Sequence, residues 1–418
     1  MFPPTIVCPP VAQDSLVDDI DTPYFTFFVT QMGKGLEYSL YFPSLIPQLL
    51  CRSVPHTALR HTILSMSALI LDLIRHRPLE RFFAHRQKAI SLLHDSFSTA
   101  QIDEGTALAV FLFVWIDGSC GRLRKSSLSH LEGLYLMLNL LGGQSGQFTS
   151  LLRIVRKMAM RLDIHFAHFC ASLPTFPPMM PEEMYSDVVG FPAKDVQAEQ
   201  WAQASFVLDA LFHKACHLSV LADAERNFAD GTLSPSTMFE LFDLELAHER
   251  WLSLPIVSLA LLKEQQIQLL NIPPEAPRFL HHEPMNVVDK NFILLQNYWR
   301  AIKIYISYIH DPILGPGPPE LARMSLATQI CRSYAACDIQ RPNGRRWDEW
   351  CIFFAATVFG PNYPLEKRWC FEKIDDSGLC ELPALKDVVE RSWVFWEFQG
   401  NYLDGVRKIF GPMCFGGH

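Results

Sequence analysis

Residues 103–118 read DEGTALAVFLFVWIDG, and they decide the fold class. Asp103 is a good N-cap, because its carboxylate can accept from the free N–H groups of a first helical turn. Gly118 is a natural stop. Between them, positions 106–116 carry no polar face after Thr106, so this helix must be covered on every side. It is too short for the roughly 20 residues a bilayer span needs. A helix of this kind sits at the centre of a helix-on-helix core.

The flanking sequence repeats the pattern. Residues 58–74, ALRHTILSMSALILDLI, form an apolar helix on which His61, Ser65 and Asp72 share one narrow polar stripe. Residues 127–143, SLSHLEGLYLMLNLLGG, start on serine and stop on Gly-Gly. Further helices are expected over 199–226, over 236–270 with a break at Pro255, and over 287–310, 321–337, 348–359 and 384–398. No stretch alternates as a strand bounded by hairpin turns. The fold expected is all-α, a large assembly of layered antiparallel helices with no sheet of consequence. Residues 1–23 read as an extended arm and 24–418 as the helical domain. Five prolines in 173–194 mark a crossing segment between halves at 24–172 and 195–418.

Composition narrows the classes. Of 418 residues, 49% are hydrophobic and 19% charged, which excludes a disordered chain. A net charge of −8 repels phosphate backbones on average. Eleven scattered cysteines suggest reduced buried thiols rather than a disulfide framework. The first residues resemble neither a signal nor a transit peptide, so the expected location is intracellular.

A family likeness enters with five groups of residues. Residues 38–50 (YSLYFPSLIPQLL) precede an apolar helix that opens with leucine and histidine, and His130-Leu131-x-Gly133-Leu134 leads into a Leu-rich tail. Tyr298 lies in an aromatic helix at 298–309; residues 353–360 precede Arg368-Trp369; and Glu390-Arg391-x-Trp393 closes the series. In order and spacing this resembles the fungal-specific transcription factor domain, the helical middle region of zinc-cluster regulators. Leu134 stands where that family usually has alanine. The resemblance implies a regulatory domain, set in fungal secondary metabolism, that acts through protein partners or an apolar small ligand. The family's DNA reader needs two Cys-x-x-Cys pairs to hold two zinc ions, and this sequence contains none. This chain by itself is therefore not expected to read a promoter. A regulator would work in the nucleus.

The alternative is a cofactor-free cyclase or isomerase in the cytosol, which folds an apolar terpenoid or polyketide inside a helical cavity. Orienting a flexible substrate lowers a barrier without any nucleophile or cofactor. Asp117, His130, His213, Tyr298 and Tyr305 are its candidate polar groups. A third reading is a plain interaction scaffold. Asp209, His213 and His217 fall at i, i+4 and i+8, which on one helical face suggests either packed histidines or a three-ligand metal set. Asp18-Asp19-x-Asp21 is acidic but has no second metal motif beside it. The basic clusters at 122–125, at Arg153, Arg156, Lys157 and Arg161, and at 345–346 read as solvated faces or ion pairs.

Overall fold

The computed structural model describes residues 20–32, 45–119, 125–145, 150–170, 173–186, 196–228, 232–262, 265–267, 277, 285–287, 290–310, 318–340, 349–359 and 363–375. Residues 1–19 of the expected arm, and the helix expected over 384–398, lie outside them. The protein is all-α: the described residues are mostly α-helical, with a single pair of three-residue strands among them. The chain divides into two compact units. One comprises Met1–Ile116, Ser129–Ala159 and Gly190–Ala193; the other comprises Asp117–Leu128, Met160–Val189 and Lys194–His418.

The first unit holds α1 (Thr22–Phe27), which continues as a π-helical turn over Phe28–Met32, then α2 (Leu45–Ser53), α3 (Thr57–Ile74) and α4 (Glu80–Ser98). It also takes most of α5 (Glu104–Ser119) and α6 (Lys125–Ser145), and the start of α7 (Ser150–Cys170). α3 and α4 are an antiparallel hairpin, with His61 opposite His85 and Ser65 opposite Phe82. Asp103 caps α5 as its sequence predicts: Oδ1 accepts from the Thr106 amide at 2.8 Å and from the Thr106 hydroxyl at 3.0 Å. Residues Ala107, Leu108, Ala109, Val110, Phe111, Leu112, Phe113 and Val114 are all buried, so α5 is central to its unit. His56 caps α3 by accepting from the Leu59 amide at 3.2 Å, and its ring lies on Gly105. A Cβ at position 105 would come within 2.5 Å of that ring, so only glycine fits.

The second unit is built on α9 (Val196–Phe228), with α8 (Pro181–Ser186), α10 (Pro235–Arg250), α11 (Pro255–Leu261), α12 (Lys290–His310), α13 (Pro318–Gln340), α14 (Glu349–Val358) and α15 (Pro364–Asp375). α12 runs parallel to α9: Trp201 meets Phe292, Phe212 meets Tyr298 and Tyr305, and Arg226 donates to the carbonyls of Ile309 and His310. Those last two bonds satisfy carbonyls at the end of α12, where a cation also suits the helix dipole. α10 and α13 run antiparallel to α12, joined by His248–Trp299 and Glu245–His310 on one side and by Arg300–Ser333 and Arg323–Ser307 on the other. His248 and Trp299 stack at 4.6 Å, and each ring N–H donates to the other's carbonyl.

Three sequence expectations are corrected. α1 begins at Thr22, two residues inside the expected arm, with Pro23 in its first turn. The helix expected to reach residue 270 ends at Leu261; Gln265–Ile267 (β1) then pairs antiparallel with Met285–Val287 (β2). Cross-strand pairing overrides the helical periodicity there, as tertiary context commonly does. Cys51 is disulfide-bonded, whereas Cys216, Cys331, Cys351 and Cys370 are free and buried. Two helical stretches, Thr57–Ile74 and Gln200–Asn227, are long and apolar enough to cross a membrane, and most of each is packed inside the protein.

Candidate functional site

Three features stand out, one on the surface and two buried. The surface feature is α10. Its inner face buries Thr237, Leu241, Leu244, His248 and, just beyond the helix, Trp251. At 3.6 residues per turn, Phe239 and Leu246 lie about half a turn away from that face. They are not polar, as an outer face should be. Phe239 is 72% exposed, Phe242 56%, Leu246 55% and Met238 46%. The stripe is bordered by carboxylates. Glu240 pairs with Lys214, Glu245 with His310 and Glu249 with Lys303, while each remains about half exposed at 51%, 48% and 48%. Asp243 is exposed beside Phe242. The outer-face cation, Arg250, lies over the Tyr185 ring at 4.6 Å.

The second feature is a polar cluster inside the second unit, where Asp209, His213, His217, Tyr298 and Tyr305 come together along α9 and α12. Asp163, at the α7 end of this unit, is its hub. One carboxylate oxygen accepts from the Thr175 amide at 2.8 Å; the other accepts from the Phe176 amide at 2.8 Å and from His213 Nε2 at 2.9 Å. Asp163 thus fixes the 173–180 segment and the His213 tautomer together. With its proton on Nε2, His213 presents a lone pair at Nδ1, and that fully buried nitrogen has no hydrogen-bond partner. His217 donates instead to the Phe176 carbonyl at 2.8 Å, and burial lowers its pKa. Asp209 accepts from Arg161 Nε at 3.1 Å and from the Tyr298 hydroxyl at 3.0 Å. Burial raises the Asp209 pKa despite the guanidinium, and burial likewise pushes Tyr298 and Tyr305 well above the usual phenol range. Phe212 packs edge-on against Tyr298, Tyr305 and Phe354, which closes the cluster with hydrocarbon.

Asp209, His213 and His217, the alternative metal set of the sequence, do not converge on one point in this structure. Eight residues of helix separate the outer pair by about 12 Å. Each group has taken its own protein partner, and among the described residues no three His, Cys, Asp or Glu side chains converge as a metal site. Of the remaining candidates, His130 belongs to the first unit, half-buried with its ring 6.4 Å from Phe113. The Asp117 side chain lies outside the described residues. Sequence reading missed Asp163. Its one signal is an acid set within the apolar α7 run, where a lone carboxylate needs several donors to be buried.

The third feature is a chain of hydrogen bonds in the first unit. Asp21 Oδ1 accepts from His85 Nε2 at 3.1 Å, and His85 Nδ1 meets His61 Nδ1 at 3.0 Å. The carboxylate orients His85 so that its Nδ1 accepts and His61 Nδ1 donates. His61 is half-buried, and desolvation followed by the His85 ring lowers its pKa. About three turns further along α3, Asp72 accepts from the Tyr24 hydroxyl at 3.2 Å through both oxygens. The polar stripe on α3 is therefore the dock for α1 and α4.

No protein-family model, no curated protein and no solved structure matches this chain.

Proposed function

We propose that this chain is a regulatory-type helical module that acts by contacting other proteins, with no zinc-cluster DNA reader among its residues. The observation that carries this reading is the outer face of α10, where Phe239, Phe242 and Leu246 are exposed together. Single exposed apolar residues are ordinary, but a continuous stripe rimmed by charge is the mark of an interaction surface. The likeness to the fungal regulatory domain points the same way and suggests a nuclear setting in secondary metabolism. The test is to tether the full chain to a heterologous DNA-binding domain upstream of a reporter. Tethering should change expression several-fold, and the double variant Phe239→Glu/Phe242→Glu should abolish that change while keeping wild-type helicity. A reporter indifferent to the tethered chain would overturn the reading.

A second reading, a cofactor-free isomerase, has one specific observation in its favour. Asp163 accepts from His213 Nε2, and the buried Nδ1 on the other side of the ring has no hydrogen-bond partner of its own. Its test is loss of substrate conversion in His213→Gln when apolar extracts are incubated with the protein. Conversion unchanged in that variant would remove it.

A further inference from the structure

We infer that the occupant of the α10 outer face is an amphipathic helix carrying lysine or arginine along both edges of its apolar stripe. The inference rests on the protein-contact reading above and names the partner's chemistry. The stripe has helical spacing, at Phe239, Phe242 and Leu246, so a partner helix can lay its own i, i+3, i+4 and i+7 residues along it. α10 has 16 residues, which makes it about 24 Å long, the span of four to five turns of a partner.

The borders decide the partner's charge. Asp243 and Glu240 lie along one edge of the stripe, Glu245 and Glu249 along the other. Glu240, Glu245 and Glu249 already face Lys214, His310 and Lys303 of the second unit, but a carboxylate has about four lone-pair sites, and each of the three is half exposed. Each can accept a second N–H donor from outside without leaving its first. The one outer-face cation, Arg250, is engaged on the Tyr185 ring. A basic partner therefore meets complementary charge on both edges. A second copy of this chain would bring four carboxylates against four, and like charges across an interface select against a partner. The net charge of −8 adds a weak long-range repulsion between copies and an attraction for a basic segment.

The experiment uses the full chain and two labelled synthetic 18-residue helical peptides with the same leucine face, one flanked by lysine and the other by glutamate. Fluorescence anisotropy at low and physiological salt reads binding. The lysine-flanked peptide should bind at least tenfold tighter than the glutamate-flanked one, and should weaken as salt screens the borders. Phe239→Glu/Phe242→Glu should abolish that binding. The quadruple variant Glu240→Gln/Asp243→Asn/Glu245→Gln/Glu249→Gln, whose apolar stripe is intact, should erase the difference between the two peptides. Equal binding of both peptides to the wild-type chain overturns the inference and leaves the protein-contact reading standing, because the stripe would still be occupied. Sedimentation that shows a dimer abolished by Phe239→Glu/Phe242→Glu overturns it in favour of a second copy. Absence of binding by the lysine-flanked peptide also overturns it, while the tethered reporter reads the broader proposal independently.

Discussion

At the scale of single residues, His248 is the plainest case of a side chain whose protonation state is set by its neighbours. It is buried against Trp299, and burial lowers its pKa to about 4. The folded state therefore prefers the neutral ring, while the unfolded chain takes up a proton near its ordinary value of about 6.5. The stabilisation is complete above pH 6.5, declines as pH falls toward 4, and is gone below that. A shift of this size is worth roughly 3 kcal/mol. Urea unfolding monitored by Trp fluorescence at pH 7 and pH 5 should show a loss in the wild type that is much smaller in His248→Gln. An equal loss in both would place the acid sensitivity elsewhere. Gly105 is constrained by space. Gly105→Ala would drive a methyl into the His56 ring, which cannot swing aside without giving up its cap on Leu59. Overpacking of this kind costs about 1–3 kcal/mol, readable as a lowered urea midpoint with unchanged slope. Asp103 was visible in the sequence because capping is local chemistry, whereas Gly118, expected to stop α5, lies inside it, since the helix runs to Ser119. The bond from His213 to Asp163 was not, because 50 residues separate the partners and no spacing rule links them.

At the scale of elements, α1 shows how a six-residue helix is kept in place. A helix so short is unstable alone, since nucleation is not repaid by enough hydrogen bonds. Two buried polar links hold it: Asp21 to His85, and Tyr24 to Asp72. Asp21→Ala leaves the His85 Nε2–H buried without its acceptor, a penalty of about 1–3 kcal/mol. Hydrogen exchange over Thr22–Phe27 should accelerate by an order of magnitude or more, while protection of the α3–α4 hairpin stays near wild type. Unchanged exchange in α1 would mean that Tyr24 and packing suffice. The polar stripe of His61, Ser65 and Asp72 was legible as a stripe, but its purpose was not. α10 marks the opposite limit. Apolar residues on both of its faces look the same as a central helix in sequence, and only the structure separates the face that is covered from the one that is not. The end of α11 went unread for another reason: β1 depends on β2, and the two are about 20 residues apart.

At the scale of the whole molecule, the all-α class followed from 106–116 alone, because a helix without a polar side can only be buried among others. Helix direction was harder to foresee. Successive helices joined by short turns come back antiparallel, as α3 and α4 do. α9 and α12 instead point the same way and meet through residues such as Asp209 and Tyr298, 89 positions apart. For these two to touch, the intervening polypeptide must first travel out and return. The entropy of closing so long a loop is lost before any of the α9–α12 contacts repays it. Stopped-flow refolding should then be slow for a helical protein, with Trp201 and Trp299 reporting after most far-UV ellipticity has returned. Secondary structure would come early and the register of these two rods last, so the slow step of maturation belongs to the very pair that carries the buried cluster.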